Sequence, residues 1–251
     1  MNETITINGG TWKLIENENT ALIHEYIKIL GLNEITIRSF FHKNNPNGLI
    51  DASIQYKPKS KEYHIQFNKN FDAHKVVHEL GHILLDLKTG ILKAIKTNIE
   101  AIPRNNLRLR FIHFLYNCIE DAFVNYTLMN YPEIVPIFKK RVDITKGVYF
   151  SKKLSQEQYI GQYILFYLQH KFIIPGVNVG WINTNLNIFR KEYITTKFSY
   201  TNLHSILDTF NSVKDTTDYR QIILLFYKVM KSTNLYSENE LKQYLKRKFK
   251  I

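Results

Sequence analysis

Apolar positions recur at helical spacing near the start of the chain and then gather into shorter runs. Over NTALIHEYIKILGL (19–32), their spacing and the glycine near the end predict a first helix. β-Branched and aromatic residues next predict three strands, with the turn-forming segments NNPNG and KPKSK between them. The strands are EITIRSFF (34–41), GLIDASIQY (48–56) and EYHIQFN (62–68), of which the last two are expected to form a hairpin.

From Phe71 onward the pattern is helical. It predicts helices over 72–88, 105–130, 155–171, 200–211, 217–232 and 237–249, and a long loop over 175–185. The expected fold class is therefore α+β, with a small antiparallel sheet, one helix that carries polar chemistry, and a mainly helical body. We expect a core over residues 1–130 and a helical C-terminal region over 131–251, packed on that core as one compact unit.

The segment HKVVHELGHILLD (74–86) divides its polar and apolar residues between two sides of the predicted helix. At about 100° per residue, His82 lies about 40°, Asp86 about 80° and Glu79 about 100° from His78. The valines, most of the leucines and the isoleucine of the segment lie on the other side. One face would pack on a core while the other presents both histidines and the glutamate.

Two imidazoles at positions i and i+4 can reach one zinc ion with bonds of about 2 Å. The spacing therefore predicts one Zn²⁺ ion bound by His78 and His82. Glu79 would lie beside the metal and act as the general base that activates a zinc-bound water. The alternative interpretation is a helix with two solvated histidines, which the amphipathic context disfavours.

A catalytic zinc ion usually has a third protein ligand. The pattern HExxHxxGxxH is excluded because Leu85 and Lys88 stand at its glycine and third histidine positions. The remaining possibility is an acidic residue on a second helix, and YNCIEDAFVNY (116–126) offers an acidic pair among apolar residues. An acidic pair there is costly to bury unless a cation receives it.

Within that second helix, Glu120 is the predicted metal ligand. Asp121 or Asn117 would steady a ligand histidine through its other ring nitrogen, and Asp86 is a further candidate for such a supporting role. Two alternatives stay open, namely Asp121 as the ligand, or an acidic pair that simply faces Arg108 or Arg110.

HELGHILL followed by NCIEDAFVN resembles the zinc metallopeptidases that take a glutamate as third ligand, the gluzincin-like group. The N-x-x-E-D pattern is similar to metallopeptidase-like domains of phages and prokaryotes. The resemblance covers about residues 45–130 and implies a zincin-like fold, zinc bound by His78, His82 and Glu120, and Glu79 as general base. HELGHILL also resembles repressor-cleaving regulatory metalloproteases, which usually carry a histidine where this chain has Asp86.

Composition adds expectations about partners and compartment. The single cysteine, Cys118, excludes an intrachain disulfide and favours a reducing compartment. We therefore expect a cytoplasmic protein. If the protein is virus-encoded, the expected location is the host cell cytoplasm or the virion. We expect neither a secretion signal nor a transmembrane segment. The formal net charge of +12 makes nucleic acid a possible partner, and the basic segment 239–251 could dock on it or on an anionic membrane.

The function expected from these residues is zinc-dependent hydrolysis of peptide bonds in a protein or peptide substrate. We expect the substrate to lie extended along an edge strand near residues 62–68. The alternatives are a zinc-binding scaffold or virion protein without peptidase activity, and a basic nucleic-acid-binding protein. Spacing does not select the oxyanion donor from Tyr116, Tyr126, Tyr149, His113, His170 and His204.

Overall fold

The computed structural model describes residues 2–7, 10–16, 20–42, 52–67, 71–96, 106–138, 200–233 and 235–250. Its strands are β1 Asn2–Ile7, β2 Gly10–Glu16, β3 Ile37–His42, β4 Ala52–Lys57 and β5 Glu62–Phe67. Its helices are α1 Thr20–Ile29, α2 Ala73–Thr89, α3 Ile91–Ala94, α4 Leu107–Leu128, α5 Tyr200–Val213, α6 Tyr219–Ser232 and α7 Glu238–Lys248. The α+β class is confirmed. The predicted helix 155–171 and loop 175–185 lie outside the described residues.

The five strands form one sheet in the order β1-β2-β3-β5-β4. β4 and β5 form the predicted antiparallel hairpin, with Ala52 opposite Phe67. The expectation of a purely antiparallel sheet is wrong, because β5 runs parallel to β3. After β3, the next strand in the chain, β4, takes the outer position of the sheet. β5 then returns antiparallel to β4 and lies between β3 and β4, where it runs parallel to β3.

An additional hairpin precedes the predicted elements. β1 pairs antiparallel with β2, with Ile7 opposite Gly10, and β2 continues the sheet onto β3. The two residues between these strands are Asn and Gly, the pair favoured in tight two-residue hairpins. The sheet is therefore larger than the sequence pattern predicted.

The helix that carries the two histidines has a defined start and end. The Asp72 side chain caps α2 by accepting from the Lys75 backbone N–H at 2.9 Å. Gly90 ends the helix with φ of 77°, a left-handed conformation that favours glycine, and its N–H donates to the Asp86 carbonyl. Asn106 caps α4 in the same way by accepting from the Leu109 N–H at 3.0 Å.

α2 packs on the sheet and on α4, and the later helices extend the same core. Tyr63, Ile65 and Phe67 of β5 are buried, and one hydrophobic cluster joins them to α2, α4, α6 and α7. α6 and α7 also contact α4 directly. Among the described helices, none combines the length and the apolarity needed to cross a bilayer.

The end of the chain is attached to the segment that follows α3. Ile95 and Phe249 form an isolated antiparallel bridge. The Lys96 N–H donates to the Lys248 carbonyl, and the Lys250 N–H donates to the Ala94 carbonyl, both at 2.9 Å. α7 is thereby held against both α4, by packing, and α2, through α3.

Candidate metal centre

Side chains from α2 and α4 converge on one point. Nε2 of His78 lies 3.4 Å from Oδ1 of Asp121, and Nε2 of His82 lies 3.5 Å from the same oxygen. One potential ligand atom from each of these three residues lies within 4.8 Å of the other two. Since all three groups are partly buried, the arrangement could hold a metal ion.

The separations fit the dimensions of a tetrahedral metal site. Zinc bonds to nitrogen and oxygen of about 2.0–2.1 Å place neighbouring ligand atoms about 3.3–3.4 Å apart in a tetrahedron. The two nitrogen–oxygen distances, 3.4 and 3.5 Å, are close to that edge length. The imidazoles stand nearly perpendicular, at 89° with centroids 5.0 Å apart.

The second nitrogen of each imidazole faces an oxygen from α4. Nδ1 of His78 lies 3.4 Å from Oδ1 of Asn125, and Nδ1 of His82 lies 3.3 Å from Oε1 of Glu120. The His82 contact is too oblique to count as a hydrogen bond, so it is an electrostatic approach in this state. This is the pattern seen around metal-binding histidines, whose other nitrogen is oriented by a carboxylate or carbonyl oxygen.

The acidic pair of α4 is thus arranged differently from the sequence-based expectation. Asp121 occupies the position beside both Nε2 atoms that was predicted for Glu120, whereas Glu120 lies on the opposite side of the His82 ring. Asn117 is exposed, and Asn125 instead makes the supporting contact that was expected of Asn117. Asn125 was missed, although its position four residues after Asp121 places it on the same face of α4.

The charges within the cluster balance one another. Burial acts to raise the pKa of Asp121, yet His78 and His82 hold that pKa well below its usual range. Burial likewise acts to lower the pKa of His82, but Asp121 and Glu120 raise it well above the ordinary histidine value. The imidazoles and the carboxylates therefore favour each other's charged forms. A divalent cation could compensate the carboxylates in place of the imidazole protons.

Glu79 directly follows His78 in the sequence. It is buried, with 6% of its surface exposed. Burial raises the pKa of its carboxyl group, while the positive charges of His82 and His78 act in the opposite direction. A carboxylate with a raised pKa suits a residue that accepts a proton and later returns it.

Asp86 has a role in joining elements of the fold. Its carboxylate is almost fully buried and accepts from the Tyr63 hydroxyl at 2.5 Å. Its Oδ1 accepts from the Leu92 and Lys93 backbone N–H groups at 2.6 and 3.1 Å. The side chain therefore connects the end of α2 with β5 and the start of α3, and its hydrogen bonds are with these elements rather than with an imidazole.

The open candidates for an oxyanion donor occupy several environments. Tyr116 is buried, His113 lies 2.9 Å from the Tyr244 hydroxyl, and the Tyr126 hydroxyl donates to Asp215. Tyr149, His170 and the side chain of His204 lie outside the part of the chain that the structure describes.

The expected peptide-binding edge at residues 62–68 is wrong. β5 is paired with β3 on one side and with β4 on the other, so its backbone groups are already used within the sheet. The hairpin places β4 at the outer position instead. The edge nearest the described helices α2 and α3 is consequently Ala52–Lys57, which both helices contact.

Comparison of the chain with protein-family models, with curated proteins and with solved structures gives no match in any of the three. The geometry of the site is therefore what indicates a function for this chain.

Proposed function

We propose that the protein is a zinc-dependent metallopeptidase with a zincin-like core formed by the sheet, α2 and α4. The observation that carries the proposal is the convergence of Nε2 of His78, Nε2 of His82 and Oδ1 of Asp121 from two separate helices. Glu79, which directly follows the first histidine of the motif, adds a general base to this ligand set.

Zinc is the metal that this donor set favours. Two imidazole nitrogens and one carboxylate oxygen leave the fourth tetrahedral position open, which is the composition of catalytic zinc sites. Soft thiolate donors, typical of copper(I) and iron–sulfur centres, do not occur in the cluster. An aspartate as third ligand departs from the glutamate of the group that the chain resembles.

When bound, zinc supplies Lewis-acid polarisation of a carbonyl and lowers the pKa of water. The chain's own residues supply the proton transfers and the orientation. The Glu79 carboxylate accepts a proton from the attacking water and returns it to the leaving amine. Burial raises the pKa of this carboxyl group, which favours uptake of the proton by Glu79.

Asn125 is hydrogen-bonded to Nδ1 of His78, and the negative charge of Glu120 lies 3.3 Å from Nδ1 of His82. Fixing the ring orientation directs Nε2 at the metal position and selects the tautomer that binds a metal. The backbone edge of β4 offers pairing to an extended peptide, which provides affinity with little dependence on substrate sequence.

A second candidate is a zinc-binding scaffold without peptidase activity. The burial of Glu79 favours it, because only 6% of the residue is exposed for contact with a substrate. Both candidates bind zinc, and they differ in whether Glu79 performs chemistry.

The test combines metal analysis with a cleavage assay. Purified protein is expected to contain one zinc ion per chain and to cut an unfolded, generic protein substrate. Glu79→Gln should keep the zinc while lowering cleavage by about 10²–10⁴-fold. The matched control Glu25→Gln, at an exposed position of α1, should change neither. Absence of stoichiometric zinc overturns the proposal, and zinc without any Glu79-dependent cleavage supports the scaffold.

A further inference from the structure

Three segments that lie far apart in the chain bring basic side chains together at one end of the sheet. They are the tip of the β4–β5 hairpin at 57–61, α3 with the two residues after it at 91–96, and the end of α7 with the residues after it at 246–250. We call their exposed basic residues the basic end. These are Lys59, Lys61, Lys93, Lys246, Arg247 and Lys250.

Contacts between side chains place the hairpin tip beside α3. Nζ of Lys93 lies 5.5 Å from the centre of the Tyr56 ring, an attractive cation–π contact. Tyr56 is near the end of β4 and only three residues before Lys59. α3 also packs against β4. The charges of the hairpin tip and of α3 therefore belong to one surface.

Hydrogen bonds place α3 beside the end of α7. Nζ of Lys250 donates to the Lys93 carbonyl at 2.9 Å, and Nζ of Lys96 donates to the Lys246 carbonyl. The backbone bridge between the segments after α3 and α7 fixes this arrangement. An ammonium group that donates once to a carbonyl keeps its charge and two further donors. All three segments are therefore joined by direct contacts, and their positive charges add.

Two acidic residues border the basic end, and both already have partners. The Asp86 carboxylate is buried, accepts from Tyr63, and lies 3.5 Å from Nζ of Lys93. Oε1 of Glu62 lies 2.7 Å from Nε2 of His64. Among the ion pairs of the described residues, that of Lys93 is the one that involves a member of the basic end. The surface thus carries an excess of positive charge.

A local excess of positive charge attracts a polyanion, and the formal net charge of +12 extends the attraction to longer range. Docking on an anionic membrane also uses exposed apolar side chains that enter the lipid. In the described segments around the basic end, Leu87 is the one large apolar side chain that is exposed. Lysine ammonium groups are point charges that bind phosphate oxygens without reading base edges. This composition favours nucleic acid over a membrane.

We propose that the basic end is a nucleic-acid-binding surface that contacts the phosphate backbone without sequence preference. The inference goes beyond the proposed peptidase activity and does not depend on it, because the cluster of His78, His82 and Asp121 contains no residue of the basic end. It also narrows the expectation for the basic segment 239–251. The end of that segment contributes, together with the hairpin tip and α3.

The test measures binding of the full chain to nucleic acid by fluorescence anisotropy. The probes are a short labelled DNA duplex of random sequence and a single strand of the same length. Wild-type protein is expected to bind both, and its affinity should fall by about 10-fold or more between about 50 mM and about 200 mM salt, because bound lysines release counterions. Changing the sequence of the duplex should leave the affinity unchanged.

Two pairs of charge reversals test whether the segments act as one surface. Lys59→Glu/Lys61→Glu changes the hairpin tip, and Lys246→Glu/Arg247→Glu changes the end of α7. Each pair should weaken binding by about 10-fold and reduce the slope of affinity against salt, because phosphate contacts are lost. Circular dichroism and zinc content should stay at the wild-type values, which keeps this test separate from that of the metal centre.

The matched control is Lys228→Glu/Lys231→Glu, which makes the same change in net charge at exposed positions of α6. α6 ends beside the start of α7, whereas the basic end includes the other end of that helix. The control should therefore bind nucleic acid much more tightly than the two pairs.

Equal weakening in the control overturns the inference, since the net charge alone would then explain the binding. An unchanged affinity in either pair overturns it as well, as does a wild-type protein that binds neither the duplex nor the single strand. Vesicles of phosphatidylcholine with phosphatidylserine provide the alternative partner. Binding to these vesicles without binding to nucleic acid would identify the surface as a membrane contact and overturn the proposal.

Discussion

Gly81 of α2 lies so close to Val124 of α4 that a Cβ atom at Gly81 would be only 2.7 Å from Cγ1 of Val124. Leu128, one turn further along α4, would be equally near. This contact adjoins His82 on one helix and follows Asp121 by one turn on the other. The absence of a side chain at Gly81 therefore allows the close approach of the two helices beside the cluster of His78, His82 and Asp121.

Replacing Gly81 with alanine should separate the helices. The added methyl group overpacks the contact, and such changes typically cost about 1–3 kcal/mol of stability. We expect a lower urea midpoint and weaker zinc binding, because His82 moves away from Asp121. The two measurements are urea unfolding and chelator competition.

A compensating variant tests the cause. Val124→Ala removes one of the clashing methyl groups, so the Gly81→Ala/Val124→Ala double variant should lose less stability than the sum of the two single changes. Simple additivity would contradict the close-contact explanation.

A second prediction concerns the buried hydrogen bond between Tyr63 and Asp86. Tyr63→Phe removes a donor from a buried carboxylate, which should cost about 1–3 kcal/mol of unfolding free energy. Zinc affinity should stay the same, because the Asp86 carboxylate binds β5 and α3. Tyr56→Phe, on the neighbouring strand, is the matched control for unfolding. A large loss of zinc affinity in Tyr63→Phe would instead indicate that Asp86 helps to orient a ligand histidine, as the sequence predicted.

A third prediction uses the pH dependence of stability. A hydrogen bond from Arg108 is the main cause that lowers the pKa of Glu240 to about 2. Nε of Arg108 lies 2.7 Å from Oε1 of Glu240, and this contact links α4 to the start of α7. Since the folded pKa is depressed, the stabilisation is present above the unfolded value of about 4.3 and is lost as the pH falls through about 2. Because the pair is partly exposed, its contribution should stay within about 1 kcal/mol.

Glu240→Gln should therefore lower stability at pH 7 and make the loss between pH 5 and pH 2 smaller than in the wild-type protein. Urea unfolding across this range provides the measurement. Asp208→Asn, an exposed change on α5, serves as control and should leave the difference between pH 5 and pH 2 unchanged. Identical pH profiles for Glu240→Gln and the wild-type protein would show that the contact does not stabilise the fold.

The elements around the site were largely predictable because their patterns are local. The amphipathic spacing of 74–86 and the capped start at Asp72 define α2 without reference to the rest of the chain. The β1–β2 hairpin was missed although Asn8 and Gly9 carry its turn signal, since the flanking strands lie in a segment with few other cues. The contact of Lys248 with Tyr116 could not be found from a local pattern, because these residues lie 132 positions apart in the chain.

The choice between Glu120 and Asp121 also exceeds what a pattern can give. Neighbouring residues of a helix point about 100° apart, so both acids remained candidates until the rotation of α4 about its own axis was known. Tertiary packing determines that rotation, and the Gly81 contact with Val124 and Leu128 is part of it. Asp121 consequently faces the Nε2 atoms, while Glu120 faces Nδ1 of His82.

The last prediction compares the two acids directly. Asp121→Asn removes the proposed ligand and should abolish stoichiometric zinc binding, whereas Glu120→Gln removes only support for His82 and should weaken binding by about 10–100-fold. Both are measured by chelator competition and metal analysis, with circular dichroism to show that each variant is folded. Each substitution replaces a carboxylate with an amide group of nearly equal size. A difference in zinc binding between the two variants therefore reports charge and coordination rather than packing. If Glu120→Gln has the more severe effect, Glu120 is the ligand, as the sequence resemblance implied, and the carboxylates exchange places when the metal binds.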